Sequence, residues 1–143
     1  MTDEELAKIA MEAKKNSYAP YSKFHVGAAL LGKNGKVYKG CNVENAAYGS
    51  TICAERTAVF TAVCDGCRDF EKIAIATDSP EFASSCGSCR QVMSEFCDDL
   101  KIILVNNRGQ LKIDSLARIL PDMFDLQIGE KFDRKNRQEG MDL

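Results

Sequence analysis

The 143-residue sequence has a single histidine, His25, and a formal net charge of only −2. A catalytic triad built on histidine would rest on that residue alone, and a metal site would draw mainly on sulfur or oxygen ligands. With a pI near 5.5, the chain lacks the positive excess that holds proteins on nucleic-acid backbones. No apolar stretch approaches the roughly 18–20 residues that span a bilayer. The opening residues, Met1-Thr2-Asp3-Glu4-Glu5, are acidic and contain no apolar core of a secretory signal. There is no internal repeat and no linker that would split the chain. These absences predict a chain with neither a membrane nor a nucleic-acid partner, in a reducing, cytoplasmic setting. We expect one domain over residues 1–129, followed by a solvated tail over 130–143, where eight of fourteen residues are charged.

What the chain does have is sulfur. Seven cysteines cannot all pair within one chain. In a reducing compartment such thiols serve as metal ligands, catalytic groups or small buried residues. The remaining composition, 45% hydrophobic and 28% charged, suits an ordinary core.

Hydrophobic spacing gives the element order. Thr2-x-x-Glu5 is a capping box, and Leu6, Ile9, Ala10 and Ala13 recur at helical spacing, so a helix is predicted over about 3–15. A strand is read from Phe24 to Leu31, with Phe24, Val26, Ala28 and Leu30 on one face. Lys33-Asn34-Gly35 makes a hairpin turn, and Lys36–Cys41 is the return strand. A small, polar loop fills 42–51. Cys53–Val63 reads as a helix, Lys72–Thr77 as a strand, Cys86–Phe96 as a helix and Lys101–Val105 as a strand. Leu111–Ile113 and Ser115–Leu120 close the order with a short strand and a short helix. The pattern α-β-β-α-β-α-β-β-α predicts an α/β fold with a mixed sheet covered by helices. The strands flanking the 86–96 helix should be parallel.

Two cysteine patterns compete for a metal. Cys64-x-x-Cys67 and Cys86-x-x-Cys89, eighteen residues apart, have zinc-ribbon spacing. Cys53-Ala54-Glu55 with Cys86-Gly87-Ser88-Cys89 uses three cysteines and adds a carboxylate. Thiolates are favoured at helix N-termini. Cys53, Cys86 and Cys89 fall in the first turns of predicted helices, whereas Cys64 falls at a helix end and Cys67 just past the Asp65-Gly66 turn. The second pattern is therefore favoured. Three protein ligands leave a fourth tetrahedral position open, as in catalytic zinc sites. Glu55 stands close enough in sequence to exchange a proton with water there. Three thiolates on Zn²⁺ sum to −1, and Arg56 is expected to offset this by donating to a ligand sulfur.

The chain resembles the zinc nucleoside deaminases in their three-cysteine form, and more specifically the small homotetrameric cytidine deaminases. The resemblance covers roughly residues 5–125. It is carried by Tyr18-Ala19-Pro20-Tyr21-Ser22-Lys23-Phe24, Val26-Gly27-Ala28-Ala29-Leu30, Gly40-Cys41-Asn42-Val43-Glu44-Asn45-Ala46-Ala47-Tyr48, Cys53-Ala54-Glu55-Arg56-Thr57-Ala58 and Cys86-Gly87-Ser88-Cys89-Arg90-Gln91. It implies a single-domain, three-layer α/β/α sandwich with a mixed five-stranded sheet and one zinc per subunit. The implied activity is hydrolytic deamination of cytidine and 2′-deoxycytidine with release of ammonia, a step of pyrimidine salvage. Glu55 would carry the proton while activated water attacks C4. Asn42 and Glu44 match the ribose-binding pair, and Phe24 matches the aromatic on the pyrimidine. Ala54 and Glu55 would read the base edge, and the Ser84 carbonyl would face the leaving amine. Ala46, Tyr48 and Phe124 match positions that complete the sites of neighbouring subunits in a homotetramer.

One departure stands out. The family usually has proline just before the first cysteine of the pair, where this chain has Ser85; serine can adopt the same backbone at a higher entropic cost. Two other readings stay open on the residues alone. One is another deaminase of the superfamily, acting on a blasticidin-like nucleoside, a nucleotide or guanine. The other is a non-enzymatic zinc ribbon using Cys64, Cys67, Cys86 and Cys89. His25 is expected to be a packed or hydrogen-bonded residue, and Cys41, Cys64, Cys67 and Cys97 to be bystanders.

Overall fold

A computed structural model describes residues 1–125. The expected tail, 130–143, lies outside the described residues. Helix α1 spans Asp3–Lys14, strand β1 Val26–Gly32, β2 Val37–Cys41, helix α2 Ala54–Cys64, β3 Phe70–Thr77, α3 Gly87–Ser94, β4 Lys101–Val105, β5 Leu111–Ser115 and α4 Leu116–Ile119. The order is the one read from the sequence. The sheet runs β2-β1-β3-β4-β5, and only β3 and β4 pair in parallel, joined through α3 as a crossover.

The central strands are buried on both faces, so they read as continuous apolar runs rather than alternating ones. Ala28, Leu30, Ile73, Ile75, Ile102 and Leu104 join α2 and α3 in one core; Ala29, Leu31, Ala74, Ala76, Ile103 and Val105 join α1 in the other. The result is three layers, with α1 on one side of the sheet and α2 and α3 on the other. The alanines on the α1 side leave little height, and that helix lies close.

Two glycines set how close the helices come. A Cβ on Gly27 in β1 would sit 2.2 Å from the Ala10 carbonyl oxygen and 2.3 Å from the Lys14 nitrogen of α1. A Cβ on Gly40 in β2 would sit 2.3 Å from the Ala54 oxygen and 2.5 Å from the Ala58 nitrogen of α2. Both obstructions are backbone, which cannot swing aside. Gly40 therefore seats the first turn of α2 directly on the sheet. At the hairpin, Gly35 takes φ 84°, the left-handed turn that Asn34-Gly35 announces.

The direction of the strands decides where a site can form. Strands β2 and β3 both run antiparallel to β1, so their C-terminal ends lie together beside the start of β1. Helices α2 and α3 begin from loops that leave those two ends. Open α/β sheets bind ligands at the carboxyl ends of their strands. One difference from the sequence reading matters here. Phe24 is not a strand residue, because β1 starts at Val26 and Lys23 turns left-handed at φ 60°. Phe24 is freed to stand at that end of the sheet.

The capping box at Thr2 and Glu5 is formed. Asp3, 20% exposed, anchors this end of α1 to the sheet through Lys72 Nζ at 2.9 Å and Lys101 Nζ at 2.6 Å. Hydrogen bonds from Lys101 and then Lys72 hold the Asp3 carboxyl below its ordinary value. A lowered folded pKa stabilises the fold above the unfolded value, and that contribution is lost as pH falls through the folded one. Asp3→Asn should lower stability at pH 7 by about 1 kcal/mol, since Lys101 remains partly in solvent. It should also flatten the loss of melting temperature as pH falls below about 4. Gly27→Ala should cost about 3 kcal/mol or more in urea denaturation, and Gly40→Ala a similar amount.

Candidate metal centre and active site

The sulfur atoms of Cys53, Cys86 and Cys89 lie within 4.8 Å of one another. Cys53 is the N-cap of α2, and Cys86 the N-cap of α3. Cys89 follows in the first turn of α3, and its backbone N–H donates to Cys86 Sγ at 3.4 Å. The two helix N-termini thus bring three sulfurs to one point, with partial positive charge from both dipoles. Tetrahedral Zn–S bonds of about 2.3 Å place sulfurs about 3.8 Å apart. Cys53 and Cys86 stand at 3.7 Å, and Cys86 and Cys89 at 3.1 Å. The donor set fits zinc in number and chemistry, with one sulfur pair at tetrahedral spacing and the other closer.

Arg56 Nη2 donates to Cys53 Sγ at 3.4 Å. The contact matches the charge-compensating role expected of Arg56, and the neighbouring sulfurs push its pKa upward. Cys53 is drawn down to about 5 by hydrogen bonding from Cys89, against the opposing effect of burial, with Arg56 and Cys86 assisting. Cys89 moves upward, because it gives its hydrogen bond to the Cys53 sulfur and is itself buried. The cluster therefore favours a thiolate even at neutral pH.

Glu55 is 5% exposed. Its pKa is raised, mainly by burial, and the negative charge of Cys53 adds to the effect. Ser85 Oγ donates to Glu55 Oε2 at 2.7 Å. A cavity of about 280 Å³ opens beside the cluster. Phe24, Val26, Ile52 and Ile75 give it apolar walls; Asn42, Glu44, Ala54, Glu55, Ser84, Cys53 and Cys86 complete it. It is near the lower end of small-molecule sites, which run about 300–1,000 Å³.

Asn42 and Glu44 follow β2, in a segment that the sequence presents as a plain loop. It is more ordered than that, because Val43 bridges both Tyr18 and Ile52. Asn42 Oδ1 accepts from the Val26 N–H at 2.9 Å and from the Ser17 hydroxyl, and its Nδ2 donates to the Phe24 carbonyl at 2.9 Å. Glu44 accepts from the Tyr21 and Ser22 N–H groups at 3.0 and 3.1 Å, and from the Ser22 hydroxyl. These bonds, led by that hydroxyl, lower its pKa. An amide can make four hydrogen bonds and a carboxylate about four. Each residue thus keeps one position, a donor on Asn42 and an acceptor on Glu44.

Not every expected site residue lies at this cavity. Ala46 is exposed, Tyr48 is 91% exposed and Phe124 is 69% exposed, all outside the walls formed by one chain. The zinc-ribbon alternative is corrected by the geometry. Cys64 ends α2 as an exposed residue, and Cys67 is buried in the core with its thiol donating to the Asp69 carbonyl at 3.5 Å. Neither joins the metal-ligating cluster. The Asp65-Gly66 turn, with Gly66 at φ 85°, carries the chain away from the end of α2 where the ligands sit. None of the seven cysteines, all of them among the described residues, is joined in a disulfide. His25 is held structurally, its N–H on Asp78 at 2.9 Å and its ring on the Ser17 hydroxyl at 3.1 Å. Arg90 and the Ser85 hydroxyl enter the site without any sequence expectation. An arginine directly after the second Cys-x-x-Cys was the available sign for the first, and a hydroxyl beside a ligand cysteine for the second.

The family described as the cytidine and deoxycytidylate deaminase zinc-binding region matches residues 1–105. A cytidine deaminase of Sporosarcina psychrophila is 46% identical over 125 residues, 87% of this chain and 92% of that one. A cytidine deaminase of Halalkalibacterium halodurans is 48% identical over 120 residues, 83% of this chain and 91% of that one. The crystal structure of cytidine deaminase from Burkholderia pseudomallei superposes with a TM-score of 0.84 at 46% identity, covering 87% of this chain and all of that one. No helix among the described residues is long and apolar enough to cross a membrane.

The ligand set separates from the bystander thiols in one comparison. Replacing Cys64 and Cys67 together by serine should leave about one zinc per chain by atomic absorption, whereas Cys86→Ser should lose most of it.

Proposed function

Because the chain belongs to the cytidine and deoxycytidylate deaminase family, we propose that Glu55 and the cavity walls act on a pyrimidine nucleoside held beside the three sulfurs. The chain is a zinc-binding hydrolytic deaminase, and its reaction converts cytidine or 2′-deoxycytidine to the uridine product and ammonia. The observation that carries the residue assignment is the buried Glu55 carboxylate between the sulfur cluster and the cavity.

Zinc on Cys53, Cys86 and Cys89 supplies a Lewis-acid position that brings the pKa of water toward neutrality. The residues of the chain do the rest. Glu55, its pKa raised by burial, takes the two protons of the attacking water in turn and passes one to the ring nitrogen of the base and the other to the departing amine. The Ala54 backbone and the Glu55 side chain face the base edge. Phe24 covers a face of the ring, an apolar contact that suits a flat heterocycle. The remaining donor on Asn42 and acceptor on Glu44 together fit one sugar hydroxyl, which both accepts and donates. Because their other bonds are already made within the chain, these groups are preorganised. Ser84, its hydroxyl fixed by Arg90 at 2.7 Å, lines the wall toward the leaving amine.

Several finer points belong to the same proposal. The chain assembles as a homotetramer in which Ala46, Tyr48 and Phe124 complete neighbouring cavities. Tyr48 and Phe124, exposed to 91% and 69%, are accessible to a neighbouring chain. Seven cysteines outside any disulfide suit a reducing, cytoplasmic setting, and the uridine product suits nucleoside salvage.

Glu55→Gln keeps the shape and removes the proton carrier. It should retain about one zinc per chain and lose at least about 100-fold in kcat, followed by the absorbance change on deamination. Wild-type turnover in that variant would remove Glu55 from the mechanism.

A further inference from the structure

Ser85 lies in the loop between β3 and α3, one residue before Cys86, and is 4% exposed. A buried hydroxyl needs a partner, and this one donates to Glu55 Oε2 at 2.7 Å. The backbone that carries it is fixed too. Arg90, on α3, donates from Nε to the Ser85 carbonyl at 2.8 Å, from Nη2 to Ser84 Oγ at 2.7 Å and from Nη1 to the Ile119 carbonyl at 2.8 Å. One side chain thus ties the loop to α3 and to the end of α4. The hydroxyl is held from behind while it reaches Glu55 in front.

A glutamate carboxylate turns easily about its last bond, because that torsion is broad and nearly two-fold. A carboxylate free to turn would offer either oxygen to the reacting proton. A donor bonded to one oxygen stops the turn and makes that oxygen the weaker base. We propose that Ser85 is a positioning residue for proton transfer: its hydroxyl pins the Glu55 carboxylate through Oε2, so that Oε1 is the oxygen that takes and returns the proton. The proposal rests on Glu55 being the proton carrier.

The hydrogen bond is compatible with the whole cycle. When Glu55 is ionised, Oε2 accepts from Ser85 as a carboxylate oxygen. When Oε1 carries the proton, Oε2 becomes a carbonyl oxygen and still accepts. The Ser85 O–H bond does not break, and no proton passes through it. Oε1 takes the two protons of the attacking water in turn, and gives one to the ring nitrogen and the other to the amine, whose bond to carbon breaks as ammonia leaves. The site therefore needs no reorientation between the two halves of the reaction, which is what preorganised polar groups supply.

The test measures Ser85→Ala, Ser85→Thr and Ser85→Val against wild type and Glu55→Gln. Threonine and valine have nearly the same shape and differ by the donor, so this pair answers the question even if the alanine variant folds poorly. Ser85→Ala and Ser85→Val should lose about tenfold in kcat with KM within about twofold and zinc near one per chain, whereas Ser85→Thr should stay within about threefold of wild type. A second readout needs no turnover. The change in melting temperature on Ser85→Ala should differ by about 3–5 °C between the wild-type and Glu55→Ala backgrounds, measured on protein stripped of metal by a chelator. Equal changes in both backgrounds, or unchanged kcat in the valine variant, would overturn the proposal while leaving Glu55 in place if Glu55→Gln is inactive. A loss confined to KM or to zinc content would overturn it as well. Full activity of Glu55→Gln would instead remove the premise, and the proposal with it.

Discussion

Three sulfur atoms held within 4.8 Å of one another concentrate negative charge at a single point, and much of the architecture serves to make that tolerable. The charge is met by the N-termini of two helices, each with a ligand cysteine at its N-cap position, and by the guanidinium of Arg56. Both helices can start at that point because β2 and β3 run in the same direction and end at one edge of the sheet, on either side of the start of β1. Gly40 then lets the first turn of α2 rest on the sheet. With a side chain at that position, α2 would ride higher, and Cys53 would leave the reach of Cys86 and Cys89. The metal centre and the packing of the sheet are thus one problem, solved at one end of the fold.

The same placement governs the carboxylate. Glu55 sits two residues after a ligand cysteine, on the first turn of α2, where the chain is buried against the sheet. Burial disfavours its charge, and so does the anionic cluster beside it. A helix N-terminus and a serine hydroxyl pull the other way. A group held between these influences can keep a proton through part of a cycle and release it afterwards. On the opposite wall, Asn42 and Glu44 spend most of their hydrogen bonds within the chain, which fixes them before a ligand arrives.

Much of this was legible in the residues, for reasons that differ by element. The helices over Asp3–Lys14 and Ala54–Cys64 and the doubly buried strands carry their periods and caps openly. The ligand cysteines could be separated from Cys64 and Cys67 by asking which end of a helix each would occupy. Phe24 was misplaced onto a strand, because alternation with Val26, Ala28 and Leu30 gives no sign of the left-handed turn at Lys23. The order within 42–52 was hidden for a related reason. Val43 pairs with two distant residues, and single bridges leave no period in the sequence. Roles proposed to depend on a second chain, such as those of Tyr48 and Phe124, have no trace in spacing at all; only the resemblance raises them.

Ser85 poses two separate questions, one about its backbone and one about its side chain. Its position argues about φ, and on that ground serine is a weaker choice than proline. The fold answers the backbone question separately, because Arg90 holds the Ser85 carbonyl and the Ser84 hydroxyl from α3. Once the loop is fixed by a side chain elsewhere, the residue at 85 no longer has to be rigid by itself. What serine adds is a donor in a buried space next to a carboxylate, a group proline cannot provide. Rigidity from one residue and polarity from another amount to a different division of labour in the same few ångströms. The arginine clamp is what permits the exchange.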